Sequence, residues 1–348
     1  MISIFSERGM IGRMVAISAS LFAIISSDFG IQTALGNGLA FGLPVDCKIG
    51  ETCFIQNYFD VDPGSEARDF QCGAATYNDH KGVDFSVPSF AQMNSGFDVL
   101  AAAPGMVKRV RDGLPDRLLT NENRAEIGNQ ECGNGVIIDH GNGWVTQYCH
   151  LRQGSVVVAP DQSVVAGSVL GKIGNSGLAE FPHVHFGVRK DGTPVDPFTG
   201  LTATGSCGSG KASTLWNDMA ARAVHPPRSE LLDLNFAPAA VAPTDAVAMT
   251  KAPDGPRADW PAIVVYSSAS NLKAGDVQIL TLTDPAGRID TNKAEPLERA
   301  KASYVMYTGH RRSQSGWQSG TYSGRYRVIR DGEVIIDTSI NQELAAGN

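Results

Sequence analysis

From His80 onward, apolar and polar residues alternate in short runs, the period of half-buried strands. Val83 and Phe85 alternate with polar neighbours. Val99 to Ala103 is apolar, and Pro104-Gly105 turns the chain into Met106 to Val110. Residues Asp112 to Gln130 break the pattern with charges and turn formers, so an inserted, part-helical surface loop is expected there. Gly135 to Asp139 reads as a buried strand and Trp144 to His150 as its return. The turn between them, His140-Gly141-Asn142-Gly143, suits a tight hairpin because Asn and Gly tolerate positive φ. Val156 to Val158 and Val164 to Ile173 predict more short strands. A strand through Val184, Phe186 and Val188 closes the series before Pro194-Val195-Asp196-Pro197. A brief helical pattern follows at Leu215 to Val224. Beyond a stretch dense in Ala, Pro and Asp, strands are expected at Ile263–Tyr266, Val277–Thr283, Tyr304–Tyr307, Gly324–Arg330 and Val334–Asp337. Short strands joined by tight turns predict an all-β, largely antiparallel fold ending in an immunoglobulin-like β-sandwich.

Length and composition sharpen this picture. A chain of 348 residues exceeds one ordinary domain and suffices for two with sizeable cores. Hydrophobic content of 42% with 19% charged residues fits a folded chain. A net charge of −7 without a long basic run excludes nucleic acid as a natural partner. Arg8 and Arg13 precede an apolar run from Met14 to Ile25, too short for a membrane span of about twenty residues and suited to a signal-peptide core. The predicted organisation is a signal peptide or N-terminal anchor over 1–36, an irregular, disulfide-tied lead-in over 37–78, and an antiparallel β domain over 79–200. A linker with a short helix over 201–259 and the sandwich over 260–343 complete it. The chain is expected to be exported, to the periplasm or beyond. A membrane is a partner only if the first segment stays uncleaved.

Six cysteines in an exported chain favour disulfides. Cys47 and Cys53 are close enough to close a small loop. Cys72, Cys132, Cys149 and Cys207 leave three pairings open.

Candidate chemistry lies on the predicted strands. His183 and His185 flank Val184, so both point to one face. Read as a strand, His80-Lys81-Gly82-Val83-Asp84 puts His80, Gly82 and Asp84 on one face, with the glycine leaving room. Two imidazoles and a carboxylate (His80, Asp84 and His185) suit zinc, which in catalytic sites keeps three protein ligands and one open position. His150 and His183 remain for proton transfer and oxyanion stabilisation, without a division of roles between them. Tyr148 is expected on the groove face with His150, and Cys149 on the opposite side, in the core or a disulfide. Asn57, Asp60 and Asp62 in the lead-in read as polar residues of a surface loop, with an acidic segment that folds over such a site and holds it latent as the alternative. In the last domain, Trp317, Tyr322 and Tyr326 offer either a ligand face or a core.

The motifs His80-Lys81-Gly82-Val83-Asp84, Tyr148-Cys149-His150-Leu151 and His183-Val184-His185-Phe186 resemble the three signatures of lysostaphin/LytM-type zinc metallopeptidases. Gly133 to Gly141 and Val165 to Gly171 fit the same family, and the resemblance covers roughly residues 79 to 198. It implies an antiparallel β-sheet groove in which His80, Asp84 and His185 hold Zn2+ while His150 and His183 serve the reaction. It also implies peptidoglycan stem peptides or cross-bridges as substrate. Two features depart from the family: Cys149 stands where a small residue is usual, and the Asp112–Gln130 loop is long. The alternatives are a non-catalytic peptidoglycan-binding or amidase-activating protein, and a zinc peptidase aimed at other proteins.

Overall fold

Apolar side chains at alternate positions assemble the first lobe around one large sheet. The computed structural model describes residues 39–205, 207–208, 213–251 and 254–345. The expected signal segment at 1–36 lies outside them. In chain order the first lobe contains β1 (Phe54–Asn57), β2 (Val83–Ser86), α1 (Phe90–Ser95), β3 (Asp98–Leu100), β4 (Gly105–Arg111) and α2 (Asn121–Arg124). There follow β5 (Asn134–Gly141), β6 (Trp144–Leu151), β7 (Ser163–Val164), β8 (Val169–Lys172), β9 (His183–Lys190), β10 (Thr193–Val195) and α3 (Asp218–Ala223). The main sheet runs β1-β2-β9-β6-β5-β4-β7, with β10 also paired to β9. Its neighbours pair antiparallel throughout.

One face of this sheet is the core. Val83, Phe85, Val136, Ile138, Tyr148, Val184, Phe186 and Val188 are buried there, and burying each large side chain contributes roughly 1.5–3 kcal/mol. The other face carries the residues between them, Asp84, Cys149, His183 and His185. The β5–β6 hairpin turns at Asn142 and Gly143, both with positive φ (50° and 78°), as the sequence predicts. The inserted loop holds the short helix α2, capped by Thr120.

Several expectations change. Val156–Val158 forms no strand, although Val157 N donates to Leu170 O at 3.0 Å. The lead-in is not wholly irregular, because Phe54–Asn57 joins the main sheet as its edge strand. His80 precedes the strand instead of lying in it; β2 begins at Val83. The disulfides are Cys47–Cys53, as expected, then Cys72–Cys207 and Cys132–Cys149.

The second lobe begins earlier than the sequence suggests. Glu230–Ala237, assigned above to the linker, is β11, followed by α4 (Pro243–Ala248). The remaining strands are β12 (Ala262–Leu272), β13 (Val277–Thr283), β14 (Ile289–Lys293), β15 (Lys301–Arg311), β16 (Gly320–Arg330) and β17 (Glu333–Leu344). Strand β11 carries the two-residue alternation Leu232-Asp233-Leu234-Asn235-Phe236, which the linker reading passed over, and it pairs with β12. Sheet β11-β12-β15 and sheet β14-β13-β16-β17 enclose Phe236, Val265, Leu280, Leu282 and Val328 in an immunoglobulin-like sandwich. Tyr322 and Tyr326 are buried in that core and form no ligand face. Tyr326 donates to Gln278 Oε1 at 2.7 Å, and Trp317 Nε1 donates to Trp260 O at 2.8 Å. The sandwich meets the first lobe at its edge: Asn271 Nδ2 donates to Ile55 O at 3.4 Å, and Ala91 N to Met249 O at 2.6 Å. Among the described residues, no helix is long and apolar enough to cross a membrane.

Candidate metal centre

Strand pairing brings Asp84 directly opposite His185, and the loop before β2 delivers His80 to the same point. His80 Nε2 lies 3.1 Å from Asp84 Oδ1 and 3.1 Å from His185 Nδ1. His185 Nδ1 lies 3.0 Å from Asp84 Oδ1. Supports from β1 and the residue that follows it fix the outward atoms. His80 Nδ1 donates to Tyr58 O at 2.6 Å, which leaves a lone pair on Nε2. Asn57 Nδ2 donates to Asp84 Oδ2 at 2.9 Å, which leaves Oδ1 free.

Two ring nitrogens and one carboxylate oxygen thus converge, an arrangement that a cation can bridge. A tetrahedral ion with bonds of about 2.0–2.1 Å separates its ligands by about 3.3 Å, close to the spacing seen here. The set of two imidazoles, one carboxylate and a remaining open direction fits zinc chemically.

Electrostatics favour the ligand-ready forms of Asp84 and His185. Burial opposes charge on Asp84, yet the neighbouring His80 and His183 and its hydrogen bonds hold it well below the usual carboxylate range. Burial pushes His185 down despite Asp84. For His80, burial is outweighed by the Asp84 carboxylate, and the net direction is upward.

Gly82 makes the convergence possible. A Cβ there would stand 2.6 Å from both His185 Nε2 and Phe186 O. We expect Gly82→Ala to weaken metal binding about ten-fold or more, as loss of a supporting contact does in metal sites. Competition with a fluorescent zinc chelator reads this directly; unaltered affinity would show that His185 has room to shift.

His150 and His183 flank the cluster. Their ring centroids are 4.5 Å apart, and His150 is 6.3 Å from His185. His183 Nδ1 donates to Phe181 O and His150 Nδ1 to Ser176 O, each at 2.8 Å. Both rings therefore hold Nε2 as the free nitrogen. His183 Nε2 is 3.6 Å from Asp84 Oδ1. Burial, then His183 and His185, push His150 well below its ordinary value, so it is neutral and able to accept a proton.

His150 reaches this position against strand alternation. Regular alternation would put it with Tyr148, which faces the core and packs on Phe186. Instead, His150 has φ 63°, a left-handed conformation that costs a β-carbon residue roughly 1–2 kcal/mol. Tyr148 does not share the groove face, contrary to expectation; its hydroxyl accepts from Ala102 N at 2.8 Å. Cys149 stands opposite His185 and bonds to Cys132. His150 N also donates to Cys132 O at 2.8 Å, so the disulfide and this bond together brace the turned backbone.

All five predicted site residues meet in one place. The sequence reading missed the carbonyls of Tyr58, Ser176 and Phe181, which orient three of the histidines. Backbone oxygens carry no side-chain signature, so no signal existed for them. It also missed Tyr77, which stacks on His80 with centroids 4.5 Å apart, and the Arg124–Glu180 ion pair beside His183. Asp60 folds the lead-in, accepting from the backbone of Asp62, Arg68 and Asp79.

Residues 78–197 match the model of Peptidase family M23. The chain is 31% identical over 124 residues to the DD-carboxypeptidase/endopeptidase Mpg of Neisseria meningitidis serogroup B, covering 35% of this chain and 23% of that protein. It is 30% identical over 117 residues to the peptidoglycan DD-endopeptidase ShyA of Vibrio cholerae, covering 34% of this chain and 22% of that protein. Among solved structures, the catalytic domain of lysostaphin from Staphylococcus simulans aligns at 21% identity and a TM-score of 0.26, over 40% of this chain and 85% of that one. The sandwich lies outside the matched residues.

Proposed function

We propose that this chain is an exported zinc-dependent endopeptidase that hydrolyses peptide bonds in bacterial peptidoglycan. The observation that carries the reading is the convergence of His80 Nε2, Asp84 Oδ1 and His185 Nδ1 within 3.1 Å of one another, beside two histidines with free Nε2 atoms. In this reading His80, Asp84 and His185 hold the metal. Bound there, zinc supplies Lewis-acid polarisation of a carbonyl and an acidified water.

The chain's own residues do the rest. The β-sheet face and the walls around His183 hold an extended peptide in place. One free imidazole Nε2 takes a proton from the attacking water, and the other donates to the developing oxyanion. His183, whose Nε2 lies 3.6 Å from Asp84 Oδ1, takes the donor role. His150, neutral and buried, takes the acceptor role. The names of the relatives support peptidoglycan as the substrate.

The test is digestion of purified sacculi by the full chain, read by mass spectrometry of the released muropeptides. Cleaved cross-links or shortened stems are expected, lost on chelation and restored by zinc. Intact sacculi beside digestion of an unrelated protein such as casein would move the activity to other substrates. Stimulation of a separate amidase, with no cleavage by this chain, would make it a regulator.

A further inference from the structure

Two cavities meet beside His183. One, of about 450 Å³, is bordered by Asp84, His183, Tyr77 and Phe181. The other, of about 530 Å³, continues past Leu118 and is closed by the second lobe, through Leu232 of β11, Val247 of α4, Ser268 of β12 and Ser303 of β15. Gln56, Leu119, Arg124, Glu180, Phe181 and Ser303 line both, so the two are one continuous cleft. The sandwich is therefore a wall of the space that contains His183.

The chemistry of the outer cavity suits a peptide. Leu118, Leu119, Leu232 and Val247 present aliphatic surface, while Gln56, Ser268 and Ser303 present amide and hydroxyl groups for a peptide backbone. Among the described residues, Phe181 is the single aromatic that lines it, a poor platform for successive sugar rings. At the junction, exposed Arg124 and Glu180 pair at 2.7 Å. They can exchange each other for a carboxylate and an amine of a bound peptide at little cost, because exposed pairs contribute only about 0–1 kcal/mol.

We infer that the outer cavity is a substrate subsite: the sandwich and the α2 loop together hold the peptide residues that lie beyond the scissile bond, with Arg124 meeting a carboxylate of that strand. This rests on the peptidase reading above. It makes the second lobe a specificity element of the cleft.

The test uses the full chain with Leu232→Arg and, separately, Ser303→Trp. Two probes are compared: cross-linked stem-peptide dimers freed from glycan by an amidase, and trimmed dimers that keep the cleaved bond but lack the outer residues of one stem. Each variant is expected to raise KM for the full dimer at least ten-fold more than for the trimmed one. Binding of the same probes to a His150→Ala background, read by fluorescence anisotropy, should show the same ten-fold difference without turnover. Equal effects on both probes, no effect, or faster cleavage would overturn the subsite. A difference that appears only with glycan-attached substrate would also overturn it, since the cavity would then be reading sugar. Absence of cleavage by the parent chain, with the anisotropy difference intact, would overturn the peptidase reading and leave the peptide subsite standing.

Discussion

Replacing His80 or Asp84 by alanine is expected to remove tightly bound zinc and to lower cleavage of purified sacculi by more than about 10³-fold, because the metal's charge stabilisation is worth several kcal/mol. The two residues fail for different reasons. Without His80, the cluster loses a donor whose direction is set by the Tyr58 carbonyl. Without Asp84, it loses the anionic donor and the charge that favours a cation between two buried imidazoles. Asp84→Asn separates that charge from the side chain's shape and should lose metal as well. Elemental analysis of the purified chain and muropeptide release are measured together. Full cleavage by a chain lacking metal would dismiss the metal centre.

The contrasting result is expected at His150. His150→Ala should keep the metal and still lose about 10²–10⁴-fold in turnover, the usual worth of a positioned proton-transfer group. None of the three converging donor atoms belongs to His150, so metal content is the control that separates the roles. The Cys132–Cys149 disulfide and the His150 N to Cys132 O bond remain available to hold the backbone, so a folded variant is expected. Loss of metal in His150→Ala would show that the ring props the cluster instead of moving a proton.

Much of the first lobe was legible because its signals are local. Alternation at Val184, Phe186 and Val188 needs only the two-residue period of a strand, and Asn142-Gly143 announces its turn by the φ values those residues tolerate. The same period placed His183 and His185 together. Where backbone conformation departs from the period, the reading failed. His80 lies before its strand, and His150 is turned by a left-handed residue, so Tyr148 went to the core instead of the groove. Strand β11 shows the same alternation at Leu232, Leu234 and Phe236 but was read as linker; its register against β12 is what places it in the sandwich.

The sequence by itself determined the all-β character, the hairpin, the Cys47–Cys53 bridge and the identity of the five clustered side chains. These depend on residue type and short-range spacing. Tertiary structure alone decided the remaining disulfide pairing, the carbonyls that aim the histidines and the sandwich wall of the cleft. Each of those joins residues far apart in the chain, and such contacts follow from packing and strand register, which no local pattern encodes.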